Sequence, residues 1–238
     1  MSELLQQAIE AHGGLERWRK IKTVKMAASI TGAIWYVKSR PDVLKNIVMT
    51  AETQREHLTT EFPGQNKRTI FEPNRISIET ADGRVIEVRD HPRDSFAGHQ
   101  RETPWNDIHI AYFSSEALWT YLTIPFLYAY PGFTVEEIAP IQEGDESWRR
   151  LKATFPETVS SHTRQQISCF GPDGLLRRHD YTVDILGGAT GLNYASHYRD
   201  VNGIVVPTQR RVYAYEGDYQ IVPDPLLVAI DMTEVTFS

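Results

Sequence analysis

Lys67-Arg-Thr-Ile-Phe-Glu-Pro-Asn-Arg-Ile-Ser-Ile-Glu-Thr-Ala-Asp-Gly-Arg-Val-Ile-Glu-Val88 decides the fold class. Three short runs, Lys67 to Phe71, Arg75 to Thr80 and Arg84 to Val88, alternate apolar and polar side chains with a period of two. That period places alternate side chains on opposite faces of a strand. Pro73-Asn74 and Asp82-Gly83 separate the runs. An Asp-Gly pair between alternating runs is the strongest local hairpin signal, because both turn positions tolerate positive φ. The stretch therefore reads as an antiparallel meander.

The same pattern extends in both directions. Upstream lie Thr23 to Thr31, Lys45 to Ala51 and Gln54 to Phe62, the last closed by Pro63-Gly64. Downstream lie Trp148 to Phe155, Arg164 to Phe170, Leu175 to Ile185, Tyr194 to Val201, Val205 to Tyr215 and Leu227 to Phe237. Pro172-Asp173-Gly174 and Asn202-Gly203 are turns between them. About a dozen strands in one antiparallel series cannot stay flat, so the sheet must curl or close.

Three helical segments interrupt this series. Leu4, Leu5, Ala8 and Ile9 fall at helical spacing behind an N-cap candidate, Ser2, and His12-Gly13-Gly14 ends the helix. A second short helix is expected at Leu15 to Ile21. The third starts at Asn106 or Asp107 and runs toward Pro125; past Glu116 it is apolar on every side. A helix apolar all round is buried or closes over something. Ala117 to Val135 is uncharged and about long enough to span a bilayer, but its prolines, glycine, threonines and aromatic residues favour a buried helix with an ordered turn. No stable membrane insertion is expected.

The chain has 238 residues, 41% apolar and 24% charged, and reads as a single domain over residues 1–238. A formal net charge of -6 argues against nucleic acid, which needs a basic face. Cys169 is the one cysteine, so no intramolecular disulfide forms; its strand-like setting suits a packed core thiol. Met1 to Gln7 has neither the basic nor the apolar region of a signal peptide, which makes the cytoplasm the expected location.

Ala8-Ile9-Glu10-Ala11-His12-Gly13-Gly14-Leu15, followed by Ile21-Lys22-Thr23-Val24 entering the first strand, resembles the start of the LolA/LolB-type lipoprotein carriers. The order of helix, His-Gly-Gly, short helix, long meander and mid-chain helical insert resembles theirs over most of the chain. The resemblance implies a mainly β (α+β) fold: a strongly curved antiparallel half-barrel sheet, with two N-terminal helices and the Asn106 to Tyr128 segment on its concave side. It also implies an apolar concave face that holds acyl chains. Two departures stand out: no export signal, and no N-terminal cysteine to carry a lipid. A relative using the same cavity for another apolar ligand is the expectation.

Chemistry-bearing motifs are few. The eight histidines show no H-x-x-x-H spacing, so no metal site is expected, and no cofactor-binding or nucleophile motif is present. Gly187-Gly188-Ala189-Thr190-Gly191 joins two strands and reads as a loop. Along Leu175 to Ile185, alternation puts Arg177, His179, Tyr181, Val183 and Ile185 on one face, taken as inward, and His197 on the next strand is placed near His179. Aromatic residues crowd the third helix, and Trp35-Tyr36 reads as an apolar loop. Of each arginine pair, Arg149-Arg150, Arg177-Arg178 and Arg210-Arg211, one member must face the concave side or its rim, where it needs an anion.

Trp119, Tyr121, His179, Tyr181 and His197 are therefore the expected lining of one cavity. The first functional expectation is binding of a hydrophobic or aromatic small molecule, one with an acidic head group among the options. The second is an enzyme of cyclase, isomerase or hydrolase type with His179 or His197 as acid–base. The third is an interaction module with a fully packed core.

Overall fold

The computed structural model describes all residues from Met1 to Ser238. The chain runs α1 (Glu3–Ala11), α2 (Leu15–Trp18), β1 (Thr23–Thr31), α3 (Ala33–Val37), β2 (Leu44–Glu52), β3 (Leu58–Phe62), β4 (Lys67–Glu72), β5 (Arg75–Thr80) and β6 (Val85–Asp90). After a 3-10 turn at Pro92–Phe96 comes α4 (Asp107–Thr123), then β7 (Thr134–Glu143), β8 (Glu146–Thr154), β9 (Gln165–Phe170) and β10 (Leu176–Val183). It closes with β11 (Ala189–Val201), β12 (Ile204–Glu216), β13 (Gln220–Val222) and β14 (Val228–Phe237).

All 14 strands belong to one curved antiparallel sheet, in the order β6-β5-β4-β3-β2-β1-β14-β12-β11-β10-β9-β8-β7, with β13 paired to β12. Both edges, β6 and β7, remain unpaired, so the sheet is not a closed barrel. The first and last strands meet in its middle, Val24 opposite Phe237 and Ile30 opposite Ile230. The 47 buried apolar residues form one cluster, filled by the concave faces of the strands and by α4. Each large side chain buried there contributes about 1.5–3 kcal/mol.

The helix ends follow their sequence signals. Ser2 accepts a hydrogen bond from Leu5 N–H, and Asn106 and His109 form a reciprocal capping box at the start of α4. Arg40 and Lys67 pair with Asp107 in the first turn of α4. Every residue from Ile108 to Thr123 is buried, so α4 lies within the curve of the sheet rather than across it. No helix of the protein is long and apolar enough to cross a membrane.

Three local expectations fail for physical reasons. The segment Thr134–Glu143 is a strand that alternation does not reveal. It is the edge strand β7, mostly exposed, and Glu136, Glu137, Pro140 and Gln142 replace any apolar pattern. Trp35 and Tyr36 lie in a short helix, α3, not a loop, with the indole buried and the phenol exposed. The glycine-rich loop ends earlier than its composition suggests, because β11 already begins at Ala189. Gly191 sits inside that strand because the Tyr181 ring lies on it; a Cβ there would be 2.6 Å from Tyr181 Cε2.

A candidate ligand-binding cleft

The helix α4 is buried on all sides because it presents a different chemistry in each direction. Phe113, Ala117 and Tyr121, with Ser114 and Leu118, form a stripe at i, i+4 spacing that faces β10, β11, β12 and β14. Between this stripe and the strands lies an apolar cleft lined by 19 residues, 15 of them hydrophobic. Its volume is about 70 Å³, roughly the room of two water molecules. Ile34 and Trp35 of α3 close one side.

Ile34, Leu186, Ala189, Thr190 and Leu227 line this inner cleft and also an outer one of about 690 Å³. The outer cleft lies between α3, the His99–Arg101 segment and the ends of β12 and β13. Lys38 forms part of its wall, held by hydrogen bonds from Nζ to the Gln100 and Arg101 carbonyls. The wide outer cleft and the narrow apolar slot are thus neighbours that share these five wall residues.

At the inner end stands a pair of phenols. Tyr121 and Tyr181 share a hydrogen bond, and the Tyr121 ring meets the His179 ring edge to face at 5.9 Å. Behind them, on the same sheet face, lie His179 and Asn193, directly opposite each other across the β10–β11 ladder. Arg210 is the next inward residue on β12, with its guanidinium 4.9 Å from the Tyr121 ring centroid. Its Nη2 donates to the Tyr121 carbonyl at 2.9 Å.

Many polar atoms of this inner group are buried without a hydrogen-bond partner. His179 is 0% exposed and Arg210 1%. Neither imidazole nitrogen of His179 has a hydrogen-bond partner, and neither do Arg210 Nε and Nη1, the Asn193 amide, the Tyr198 hydroxyl or His12 Nε2. The Asn193 amide lies near both phenols without a well-formed hydrogen bond to either. Burial, reinforced by the neighbouring Arg210 charge, holds His179 well below the ordinary imidazole value, so it is neutral. Burial pushes Tyr121 up to about 12 and holds Tyr181 well above its ordinary value, so the phenols carry no charge that would balance the guanidinium.

A second polar cluster lies on another side of α4. Glu116 is fully buried, with His162 Nδ1 2.8 Å from Oε1, and Ser160 donating to Oε2 at 3.0 Å. The His162 ring stacks on Phe113 at 4.9 Å and forms part of the inner cleft wall. An imidazole oriented by a carboxylate can move a proton. Nearby Glu56 is pushed well above the carboxylate range by burial, and the Glu116 charge adds to that effect.

Of the five residues expected from the sequence, Tyr121, His179 and Tyr181 come together. Trp119 does not join them. Two helical positions turn a side chain by about 200°, so its indole points away and donates to the Glu52 and Arg55 carbonyls at 2.8 and 3.0 Å. His197 is also elsewhere. The register puts Asn193 opposite His179, and His197, with φ 57°, is exposed to solvent although the β11–β12 ladder keeps its register on either side of it. No group of three or more histidine, cysteine or acidic side chains is arranged to hold a metal ion.

Arg210, Asn193, Tyr198, His12 and the Glu116–His162 pair are the polar groups that residue-by-residue reading passed over. Only Arg210 carried a signal, as one member of the Arg210-Arg211 pair, of which one had to face the concave side or its rim.

Solved structures share this architecture. The chain superposes on a DUF1329 family protein from Desulfovibrio piger with a TM-score of 0.55 at 10% identity, covering 100% of this chain and 94% of that one. The fold is LolA-like. The LolA superfamily protein NE2245 from Nitrosomonas europaea gives a TM-score of 0.52 at 8% identity, with 98% and 93% covered. A Vibrio parahaemolyticus domain named for outer membrane lipoprotein sorting gives 0.55 at 6% identity, with 99% and 91% covered. No family model and no curated protein matches the chain. The LolA-like half-barrel is thus shared at the level of backbone path, with little of its sequence.

Proposed function

We propose that this LolA-like protein binds a hydrophobic small molecule, with the body of the ligand in the outer cleft and its end in the apolar slot beside α4. The observation that carries this reading is the slot itself: a wall of 15 hydrophobic residues, five of its lining residues shared with an outer cleft large enough for a lipid-sized or aromatic ligand. A protein with a fully packed core has no need of either space. Apolar area moved out of water there contributes about 25 cal/mol per Å². Structural likeness to proteins named for lipoprotein sorting supports an apolar ligand.

Binding of the neutral fluorophore N-phenyl-1-naphthylamine tests the reading. The wild type is expected to bind it, and Ala189→Trp, which fills the mouth at an exposed position, is expected to weaken binding by about tenfold without lowering the melting temperature. Absence of binding to the wild type, or equal binding by both proteins, defeats it. A cytoplasmic location belongs to the same proposal, supported by a single, buried cysteine. Cell fractionation that finds the protein elsewhere removes that part.

A further inference from the structure

We propose that Arg210, His179 and Asn193, with the phenols of Tyr121 and Tyr181, form an anion hole that receives the carboxylate of an amphiphilic ligand. The inference rests on the cleft reading above and names the chemical class that the cleft takes.

The first argument is charge. Arg210 is fully enclosed and forms no ion pair with any aspartate or glutamate. The polar groups around it are His179, His12, Tyr121, Tyr181, Tyr128 and Tyr198, all uncharged at neutral pH. Guanidinium remains protonated even when buried, so a positive charge sits in an enclosed site with no carboxylate of the chain paired to it. A ligand carrying one negative charge supplies it.

The second argument is the balance of hydrogen-bonding groups. Arg210 Nε–H and Nη1–H, the Asn193 NH₂, the Tyr198 hydroxyl, one N–H of neutral His179 and one hydroxyl of the phenol pair all lack acceptors. Free acceptors are fewer: the Asn193 oxygen, the second His179 nitrogen and Nε2 of His12, whose Nδ1–H is donated to the Ala8 carbonyl. A donor-rich enclosure suits an oxygen anion and not a cation or a hydrocarbon. A single arginine beside a neutral histidine matches a carboxylate better than a doubly charged phosphate.

The third argument is position. Tyr121 and Tyr181 form the inner end of the apolar slot, and their hydroxyls meet where the slot and the polar group adjoin. A carboxylate advancing along the slot replaces that phenol–phenol hydrogen bond with one from each hydroxyl, and the rings part to admit it. The apolar chain then trails through the slot into the outer cleft.

Calorimetric titration with decanoate, decan-1-ol and decyltrimethylammonium tests the proposal, using wild type, Arg210→Met and Arg210→Lys. Decanoate is expected to bind wild type at least about tenfold more tightly than decanol, with the ammonium compound weakest. Arg210→Met is expected to abolish the preference while leaving decanol affinity within about twofold, and Arg210→Lys to keep part of it. Equal affinities of wild type for decanoate and decanol overturn the anion hole and leave the cleft reading intact. Failure of all three to bind overturns both. Should Arg210→Met not fold, the wild-type comparison decides, together with Asn193→Leu, which must lower decanoate affinity more than decanol affinity.

Discussion

Two buried arginines occupy opposite faces of the same sheet. Arg178, 2% exposed, is on the convex face of β10; Arg210, 1% exposed, is on the concave face of β12. Arg178 holds Asp180 with both Nε and Nη2, at 2.7 and 3.0 Å, and reaches Glu143 at 3.0 Å. The rings of Trp148 and Tyr194 flank its guanidinium at 5.8 and 5.5 Å. Burial works against its proton, but the Asp180 carboxylate outweighs burial and raises its pKa. Arg210 has one backbone carbonyl and a ring, and burial lowers its pKa. The same residue type at the same depth is thus neutralised by the chain in one place and left open in the other. The convex arginine fastens strands together; the concave one is available to something outside the chain.

The largest effect expected from this contrast is at Arg178. Arg178→Met leaves Asp180 buried without its partner, and urea unfolding should show a loss of about 3–5 kcal/mol. A loss below about 1 kcal/mol would break the comparison from the structural side.

Next in size is a pH effect at His12, which lies near Arg210 and is held neutral. Burial lowers its pKa from 6.5 to about 4 in the folded protein. Between those values the unfolded chain binds more protons, so stability is lost as pH falls from about 6.5 toward about 4. Wild type should lose about 3 kcal/mol more than His12→Leu between pH 7 and pH 4. Identical acid profiles for the two proteins would show that His12 is not held neutral.

Gly191→Ala comes third. The new Cβ meets the Tyr181 ring, which must move off the strand and away from Tyr121, at a cost of about 1–3 kcal/mol in thermal unfolding. A neutral result would mean that the phenol pair is looser than its packing implies. Smallest is Arg210→Met without ligand. Removing an uncompensated buried charge should leave stability unchanged or raise it by up to about 2 kcal/mol. A loss of more than about 1 kcal/mol would make Arg210 a structural residue like Arg178 and end the contrast.

Much of this architecture was legible in residue patterns. The alternation in Arg75–Thr80 and the Asp82-Gly83 turn mark β5 and the hairpin to β6, and the uniformly apolar run after Glu116 marks α4 as enclosed. Edge strand β7 was not legible, because a strand with two wet faces shows no period. At the site, parity along β10 correctly joined His179 to Tyr181. It failed at His197 because that one residue takes a left-handed backbone conformation, φ 57°, and is exposed although the ladder keeps its register on either side, and nothing in Ser196-His197-Tyr198 announces it. Trp119 was grouped with Tyr121 because the helix past Glu116 is apolar on every side, which leaves its cavity-facing side unmarked, whereas helical geometry separates them. Arg210 was marked as needing an anion, but which arginine of each pair points inward depends on pairing register, which only long-range contacts set.

The meeting of β1 and β14 at the centre of the sheet governs when this protein becomes competent to bind. Ile30 of β1 and Val228 and Ile230 of β14 lie side by side in the slot wall, although about the whole length of the chain separates them in sequence. On a ribosome, β1 through β6 and α4 emerge long before their neighbour across the seam exists. Until β14 inserts, two half-sheets each present an unsatisfied central edge, and the slot has one wall missing. Ligand capture should therefore be among the last events of maturation, and a chain stalled before Val228 should expose its apolar interior to chaperones instead of closing around its cargo.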